Sequence, residues 1–571
     1  MRWVIPQVQD ELVRFISNQL GVSTLLARLL VLRGADTPEA ADRFLNPHLS
    51  QLHDPFLMAG MEAAVGRLRR AVDRQEKILI YGDYDVDGTT AVVTLLTALR
   101  SLGAEAAVHV PHRLAEGYGM RAGVMEWAAA EGFSLAVSVD TGIREHEAVD
   151  CARERGIDCI ITDHHLPEGR LPAAHAVLNP RRPDCAYPDK NLSGAGVCLK
   201  LVQALLGSRL SERLLRSYLK IVAIGAIADV VPLVGENRVI SSLGLAALSE
   251  VLPATQNAVA GRRGLNALLS AAGLAGKNIT AADVAFRIAP RLNAAGRMDH
   301  AKEVIALFTA QDGDAVAIAQ HLETLNRERQ EVEERILNEV LAEIDRRPEM
   351  AERRILVFSG QGWHRGVIGI VASRLVERFH RPALVVAVED EVGYGSGRSI
   401  SCYHLLNALD QAAPLFGRYG GHAQAAGFSL PAARIEELAG VLERHARTVL
   451  TEQDLEPVLR VDLEVNLAEI NWATLAELKK LEPCGFGNPK PVFSAIGEIE
   501  LPPRVMKEKH LKFRVADHGR SMDAVGWNLA SRCSHFKPGQ ALGLAFSVEE
   551  NTFLDQTSLQ LVLRDIREAE A

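Results

Sequence analysis

The sequence has few cysteines and no cysteine pairing pattern. The seven are odd in number and scattered, at Cys151, Cys159, Cys185, Cys198, Cys402, Cys484 and Cys533. No C-x-x-C pair occurs, which argues against a structural zinc site and a disulfide framework and favours a reducing compartment. The N-terminal stretch lacks the apolar core of a secretory signal, and no apolar run approaches the ~20 residues of a membrane helix. We therefore expect a cytoplasmic protein without a membrane segment.

Two common nucleotide-binding fingerprints are also missing. The chain has neither a Walker A motif nor G-x-G-x-x-G, which disfavours binding of nucleoside triphosphates and dinucleotides. Its 571 residues, 48% hydrophobic and 24% charged, are typical of a soluble protein of about three or four domains. The net charge of −9 does not exclude a nucleic-acid partner, because charge acts locally and basic residues concentrate between positions 504 and 537.

Short apolar runs alternate with helical stretches in the first half of the chain. Strands are predicted at 78–81, 106–110, 135–139, 159–161 and 176–178. This alternation is typical of βαβ units and a parallel sheet. Three of the strands end in polar groups, namely Asp83-Tyr84-Asp85-Val86-Asp87, Asp140 and Asp163-His164-His165. Function in parallel sheets is found beyond the carboxyl ends of the strands, so these groups predict one composite site.

The aspartates at the end of the first strand indicate a cation site. Like charges at Asp83, Asp85 and Asp87 repel one another by roughly 4 kcal/mol per close pair at an effective dielectric near 20. Hard divalent ions with oxygen ligands, Mg²⁺ or Mn²⁺, relieve such repulsion. The alternative is an Asp/Gly-rich solvated turn. Asp229 ends an apolar helix predicted at 214–228, where the alternative role is hydrogen bonding at the helix end.

These carboxylates together with His164 and His165 fit a pair of Mn²⁺ or Mg²⁺ ions about 3.5–4 Å apart, bridged by one carboxylate. Two such ions suit hydrolysis of a phosphate ester. The residues alone therefore predict a metal-dependent phosphoesterase.

The second half of the chain shows three further patterns. A long helix with a narrow apolar stripe is predicted at 314–346, and a polar insert at 291–297 lies between helices. A second strand–helix alternation begins at 354, with glycine-rich turns at 393–399 and 420–427 that suit a phosphate beside Arg398 and His422. Beyond 455, β-prone runs at 458–465, 492–499, 511–515, 541–548 and 559–563 predict a five-stranded barrel of the OB type. Its candidate base-stacking residues are Trp527, Phe513 and Phe536, with burial in the barrel core as the alternative.

Several motifs carry a family resemblance. The Asp163-His164-His165 triplet, with YGDYDVDGTT, SVDTGI and AIADVVPL, resembles the DHH phosphoesterase superfamily, and GGHAQAAGF resembles its DHHA1 domain. More narrowly, RLNAAGRM, LNRERQ, GSGRS and LEPCGFGNPKPVF are similar to the RecJ family of single-strand-specific 5′→3′ DNA exonucleases. The resemblance implies an α/β fold: a parallel-sheet DHH domain and a smaller α/β DHHA1 domain joined by a long helix, followed by an OB-like β-barrel.

The implied boundaries are an N-terminal helical segment at 1–50, the DHH catalytic domain at 51–313, a connecting helix at 314–350, the DHHA1 domain at 351–452 and the OB-like domain at 453–571.

The resemblance also implies roles for individual residues. Two divalent cations, Mn²⁺ or Mg²⁺, are expected on Asp85, Asp87, Asp140, His164 and Asp229, with Asp140 bridging and both Asp140 and His164 counted as catalytic. Asp83 and the catalytic residue His165 occupy adjacent positions that bind metal or the scissile phosphate. Substrate contacts are expected from Arg113, Arg291, Asn293, Arg297, Ser396, Arg398 and His422, of which Ser396 and Arg398 match the positions for a terminal 5′-phosphate.

The resulting hypothesis is a metal-dependent exonuclease that degrades single-stranded DNA from the 5′ end to mononucleotides in recombination and repair. The expected partners are single-stranded DNA with a 5′ end, a single-strand-binding protein and a helicase, and the protein is expected to be a monomer. Three alternatives stay open: a nanoRNase or pAp phosphatase, a pyrophosphatase, and a non-catalytic DNA-binding scaffold.

Overall fold

The chain divides into two units, each assembled from separate segments. The computed structural model describes residues 1–250, 262–310, 312–530, 536–554 and 556–569. The first unit comprises Met1–Leu52, Pro232–Ser242 and Val458–Ala571, and the second comprises His53–Val231 and Leu243–Pro457. In the described residues no single helix has the length and hydropathy to span a membrane; one pair of helices, bent by 116°, passes that test only when combined.

The N-terminal part of the first unit is helical, as predicted. A short strand is followed by three helices: β1 (Arg2–Val4), α1 (Asp10–Leu20), α2 (Thr24–Leu32) and α3 (Pro38–Leu45). The hydroxyls of Ser23 and Thr37 accept hydrogen bonds from the first turns of α2 and α3, which fixes where these helices begin. The bent pair of helices noted above consists of α1 and α2.

The second unit begins with an all-parallel sheet. Its elements are α4 (Met61–Asp73), β2 (Lys77–Gly82), α5 (Val86–Ser101), β3 (Ala106–His109), α6 (Ala122–Ala130), β4 (Phe133–Val139), α7 (His146–Glu154), β5 (Asp158–Thr162), β6 (Ala176–Leu178), α8 (Gly194–Leu206) and α9 (Glu212–Ala228). The strand order is β3-β2-β4-β5-β6. The predicted parallel sheet is confirmed, and β2, β4 and β5 end side by side at one edge.

A helical region follows the sheet. It contains α10 (Gly235–Ser249), α11 (Arg262–Ala271), α12 (Ala281–Asp283), a π-helical turn (Val284–Ile288), α13 (Ala289–Met298), α14 (Lys302–Thr309), α15 (Asp312–Arg346) and α16 (Glu349–Glu352). The interpretation of 291–297 as an insert between helices was wrong, because these residues lie within α13. Buried Leu292, Ala294 and Ala295 hold this stretch in the helix despite its polar residues.

The last part of the second unit is a mixed five-stranded sheet. Its elements are β7 (Leu356–Gln361), α17 (Ile368–Phe379), β8 (Ala383–Glu389), β9 (Val392–Arg398), α18 (Leu405–Asp410), β10 (Arg418–Gly421), β11 (Ala425–Pro431) and α19 (Ile435–Val449). The order is β10-β11-β9-β8-β7, with only β7 and β8 parallel. The predicted long helix is α15, which packs on α11, α13 and α14 and also on α17, and thereby joins the two sheets of this unit.

The glycine-rich stretch at 393–399 was wrongly interpreted as a turn. Most of it is strand β9, in which alternate glycines face packed side chains. A Cβ on Gly395 would lie 2.0 Å from the Phe428 ring, and one on Gly397 would lie 2.8 Å from Leu405. The glycines therefore make room for neighbouring side chains. The second glycine-rich stretch spans the β10–β11 hairpin.

The C-terminal part of the first unit contains a closed five-stranded barrel. Its elements are β12 (Val458–Arg460), β13 (Leu463–Glu464), α20 (Trp472–Lys479), β14 (Phe493–Met506), β15 (His510–Asp517), β16 (Arg520–Gly526), β17 (Ala541–Phe553) and β18 (Gln556–Glu568). The order β14-β15-β16-β18-β17 closes by pairing of β17 with β14.

The barrel is confirmed, but its strand list needs correction. Within the run at 458–465, β12 pairs with β1, and only the two-residue β13 joins the barrel sheet, parallel to β14; the fifth barrel strand is β16, which was not predicted. Phe513 and Phe536 are buried, as the alternative held, whereas Trp527 is 54% exposed and packs edge-on against His510 at 4.8 Å.

Candidate active site

The junction between β2 and α5 supplies three aspartates. Asp83 follows the last residue of β2, Asp85 caps α5 by accepting a hydrogen bond from Gly88 N at 2.9 Å, and Asp87 lies in the first helical turn. Gly88 is required here because a Cβ would lie 2.7 Å from the Cβ of Asp83. The tight strand–helix junction thus brings the carboxylates together at the sheet edge.

Asp87 is also bound by the N-terminus of α8. Its two carboxylate oxygens accept hydrogen bonds from Gly194 N at 2.6 Å and Ala195 N at 3.1 Å. The partial positive charge of a helix N-terminus stabilises a carboxylate in this position. Gly225 of α9 leaves room for the group, because a Cβ there would lie 2.7 Å from Asp87 Oδ1.

Asp140 follows β4 in a left-handed backbone conformation, with a φ of 61°. This conformation is uncommon for residues other than glycine, although aspartate tolerates it better than most. The backbone N–H donates to Thr162 O at 2.9 Å, which anchors the residue to β5. The Asp140 carboxylate is buried, and its Oδ1 lies 3.2 Å from His164 Nε2.

The triplet after β5 contains residues in different environments. Asp163 accepts hydrogen bonds from Ile143 N, His164 N, His165 N and His165 Nδ1, the last at 2.7 Å. Burial would raise the pKa of Asp163, but the hydrogen bonds and charge of His165 outweigh it and lower the pKa to about 2. Burial would lower the pKa of His165, but Asp163 outweighs it and raises the pKa to about 9. Asp163 therefore orients a protonated His165.

Asp229 caps the C-terminus of α9 and completes the cluster. Its Oδ2 lies 3.6 Å from His164 Nε2. Burial and then the charges of Asp87 and Asp85 raise its pKa to about 9, while burial and then the neighbouring aspartates raise the pKa of Asp140 well above its usual range. Without bound cations, the negative charge of these carboxylates is therefore poorly compensated.

The arrangement fits divalent cations. Three sets of side chains bring their ligand atoms within 4.8 Å of one another: Asp83, Asp85 and Asp140; Asp87, His164 and Asp229; and Asp140, His164 and His165. Asp83 Oδ1, Asp140 Oδ1 and both ring nitrogens of His164 are buried and have no hydrogen-bond partner among the described residues. Burial and then the charge of His165 lower the pKa of His164 to about 3, so its imidazole is neutral, as a metal ligand must be. Carboxylates with one imidazole suit Mn²⁺ or Mg²⁺.

A second group of site residues forms an arginine cluster, consisting of Arg113, Arg297 and Arg398. Burial and then Arg113 and Arg398 lower the pKa of Arg297 to about 9, and burial and then Arg113 lower that of Arg398. Within the described part of the chain none of the three pairs with a carboxylate. Guanidinium groups so close together are stabilised by an anion.

Neutral groups surround the arginine cluster. Ser396 Oγ accepts a hydrogen bond from Arg398 Nη1 at 3.2 Å. The first turn of α17 lies beside them, since a Cβ on Gly369 would lie 2.8 Å from Ser396 Oγ and 3.2 Å from Arg398 Nη2. The Arg113 guanidinium stacks over Tyr84 at 4.8 Å. The cluster therefore has the hydroxyl and cations of a phosphate site.

The remaining predicted contact residues are placed differently. His422 lies at the β10–β11 turn, where its N–H donates to Ala425 O at 2.8 Å, and burial and then the charges of Arg398 and His165 lower its pKa. Arg291 is engaged by Glu323 and by the carbonyl of Arg287. Asn293 lies on α13 one helical turn before Arg297 and is half-buried.

Sequence reasoning missed four residues at this site. Asp163 was treated only as part of a motif, although it orients His165. Tyr118, whose hydroxyl is 3.4 Å from His165 Nδ1, follows a strand end after an irregular loop. Asn179 and Arg181 follow β6, and the fact that their strand also ends at this edge was the signal that could have identified them.

Comparisons with known proteins agree with this geometry. The DHH family N-terminal domain matches residues 77–226, the DHHA1 domain 352–448 and the RecJ OB domain 461–565. The single-stranded-DNA-specific exonuclease RecJ of Bacillus subtilis (strain 168) is 37% identical over 99% of this chain and 70% of that protein. The Escherichia coli (strain K12) protein of the same name is 33% identical over 95% of both. The crystal structure of RecJ in complex with Mn²⁺ from Thermus thermophilus covers this whole chain and 80% of its own, with a TM-score of 0.85 and 31% identity.

Proposed function

Because the chain belongs to the RecJ family of single-stranded-DNA-specific exonucleases, we propose that it hydrolyses single-stranded DNA stepwise from a phosphorylated 5′ end and releases mononucleotides. The observation that supports this most directly is the presence of a metal-ligand cluster and an arginine cluster in one unit. A single-stranded substrate anchored by its end at the arginines presents its first phosphodiester to the carboxylates.

The metal-ligand residues would hold two divalent cations, which when bound activate water and neutralise charge on the phosphoryl group. Asp85, Asp87, Asp140, His164 and Asp229 would hold these cations, and Asp83 lies beside them. His165, kept protonated by Asp163, donates a hydrogen bond to an oxygen of the scissile phosphate. The glycines around Asp87 and Asp140 hold these carboxylates close together.

The arginine cluster sets the polarity in this proposal. Arg398 and Ser396 bind the terminal 5′-phosphate, with Arg113 and Arg297 completing its charge compensation. His422 is a further proposed contact of the strand. Charge-assisted hydrogen bonds of this kind contribute about 1.5–3 kcal/mol each, so a 5′-phosphate is expected to bind more tightly than a 5′-hydroxyl.

The experiment compares hydrolysis of 5′-phosphorylated and 5′-hydroxyl single strands of the same sequence, with Mn²⁺ and with EDTA. Wild-type protein should release mononucleotides from the 5′ end of the phosphorylated strand only when the metal is present. Arg398→Gln should bring the two rates close together, whereas Arg447→Gln, an exposed arginine on α19, is the matched control. Release from the 3′ end, or faster cleavage of dinucleotides than of long strands, would overturn the proposal. Binding without any metal-dependent hydrolysis would indicate a scaffold.

The proposal extends to the cellular setting. The barrel, with exposed Trp527, supports guidance of single-stranded DNA. Strands of that kind are produced by a helicase and coated by a single-strand-binding protein, so these are the proposed partners of a monomeric cytoplasmic enzyme in recombination and repair. Size-exclusion chromatography with light scattering tests the monomer, and co-elution with single-strand-binding protein tests that contact.

A further inference from the structure

Arg181 is a cation near the metal-ligand cluster with no role in the function proposed above. It follows β6, the last strand of the parallel sheet, and is half-buried. The fully buried Asn179 fixes its position: Asn179 Nδ2 donates to His165 O at 2.8 Å, and Asn179 Oδ1 accepts from Arg181 N at 2.8 Å. The backbone of Arg181 is therefore tied through one side chain to the catalytic triplet.

The guanidinium of Arg181 is hydrogen-bonded only through its Nε within the described residues. Its Nε donates to Lys190 O at 3.1 Å, and in the described residues neither Nη atom has a hydrogen-bond or ion-pair partner. The next residue, Arg182, differs in this respect. It forms a two-point ion pair with Asp184 at 2.9 and 2.6 Å and also donates to Val177 O. Arg182 is a structural arginine, whereas Arg181 keeps the donors that bind phosphate in pairs.

Arg181 and Arg113 lie at opposite ends of the strand order of the parallel sheet. Arg113 follows β3, the first strand in the order β3-β2-β4-β5-β6, whereas Arg181 follows β6 and is tied through Asn179 to His165 after β5. A polyanion whose end lies at the arginine cluster and which crosses the metal ligands thus meets a second cation beside the Asp163-His164-His165 triplet.

We propose that Arg181 is a substrate-binding residue whose guanidinium contacts a phosphodiester of the bound strand beside the Asp163-His164-His165 triplet. This inference rests on the proposed function, since it takes single-stranded DNA as the ligand. The alternative is that Arg181 only balances the charge of the carboxylates. Such a role would stabilise the metal-free protein and leave DNA binding unaffected.

The test is DNA binding without metal, so that no hydrolysis occurs. Fluorescence anisotropy in EDTA follows a 5′-phosphorylated single strand on wild-type protein, Arg181→Gln and the exposed-loop control Arg170→Gln. Arg181→Gln should weaken binding about tenfold at low salt and reduce the slope of log affinity against log salt by about 0.7, the value for one phosphate contact on a single strand. The control should change neither quantity.

Neutral methylphosphonates locate the contact. Each phosphodiester linkage near the 5′ end is replaced in turn by a methylphosphonate, and its effect on affinity is measured with both proteins. At one linkage only, the replacement should weaken binding to wild-type protein but not to Arg181→Gln. Arg181→Lys, which keeps the charge, should restore the salt slope, and it carries the test if the glutamine variant does not fold.

If Arg181→Gln keeps the salt slope of wild-type protein and stays sensitive to methylphosphonate at every linkage, the assignment is overturned. If Arg181→Gln binds DNA as wild-type protein does but melts at a lower temperature in EDTA, the role of Arg181 is charge balancing instead. If wild-type protein neither binds the strand nor cleaves it with Mn²⁺, the proposed function itself fails. If wild-type protein binds and cleaves the strand and Arg181→Gln binds it equally well, only this inference is refuted.

Discussion

Gly194 is the position at which the smallest change should have the largest effect on metal binding. It is the first residue of α8, and its N–H donates to Asp87. A Cβ placed on it would lie 2.2 Å from Asp140 Oδ1, 2.5 Å from Asp140 Cγ and 2.6 Å from Asp140 Cβ. Gly194→Ala therefore places a methyl group in the space that the Asp140 carboxylate occupies.

The displacement can be read from these distances. Ordinary contacts of a Cβ begin at 3.4 Å, so Asp140 Oδ1 or the start of α8 must move by at least 1.2 Å. Metal–ligand distances tolerate deviations of only about 0.2 Å. A shift several times larger would take the Asp140 carboxylate out of reach of an ion held by its neighbours, and we expect Mn²⁺ affinity to fall by at least the ~10–100-fold seen when supporting groups of a metal site are lost.

Isothermal titration calorimetry with Mn²⁺ measures this loss, and nuclease activity should fall with it. The matched control is Gly66→Ala in α4, where a Cβ has nothing within 4 Å. That variant should bind Mn²⁺ normally and gain about 0.5–1 kcal/mol of stability from the lower flexibility of alanine. Gly194→Ala with wild-type Mn²⁺ affinity and a folded state would refute the proposed position of Asp140 in the site.

Three further predictions concern the same chain. Asp140→Asn should abolish hydrolysis while single-strand affinity in EDTA stays the same or rises, because one repelling charge is removed; an anisotropy titration and a nuclease assay measure both, and retained hydrolysis would contradict the assignment. The raised pKa values of Asp87 (about 7) and Asp229 (about 9) mean that the metal-free protein loses stability as pH rises towards and through these values, since the folded state then holds charges that it disfavours. Bound cations replace the protons over the same range, so the difference in melting temperature between Mg²⁺-loaded and EDTA-treated protein should widen with pH, and a constant difference would argue against these residues as ligands. Trp527→Ala should weaken single-strand binding by about 1–3 kcal/mol without loss of stability, whereas Phe513→Ala, at a buried position, should destabilise the fold by about 3–5 kcal/mol in denaturant titration.

The parallel sheet and the convergence of the candidate metal-ligand residues could be predicted because both depend on local patterns. Apolar strands separated by helices determine a parallel sheet, and a parallel sheet brings the residues after β2, β4 and β5 to one edge. Asp140 was placed by that rule alone. What the pattern does not contain is the distance between ligands, which depends on contacts between elements far apart in sequence, of Gly194 with Asp140 and of Gly225 with Asp87.

The errors arose where packing overrides local preference. Strand β9 contains three alternate glycines, which disfavour a strand, but Phe428 and Leu405 occupy the space that side chains would take. Strand β16 was missed because its apolar residues, such as Met522 and Ala524, are interrupted by polar ones, and its burial depends on pairing with β15 and β18. Neither partner can be identified from the strand's own sequence.

The two kinds of buried aspartate at this site show why composition predicts a metal site but does not assign every carboxylate. Asp163 and Asp140 are both buried at the same sheet edge, yet the pKa of Asp163 is lowered to about 2 and that of Asp140 is raised. Asp163 accepts four hydrogen bonds from backbone and imidazole donors, whereas Oδ1 of Asp140 accepts none from the described residues. A buried carboxylate with enough donors is stable as an anion by itself, and one without them requires a proton or a cation. This difference supports the proposal that Asp140 is a metal ligand, whereas Asp163 hydrogen-bonds His165.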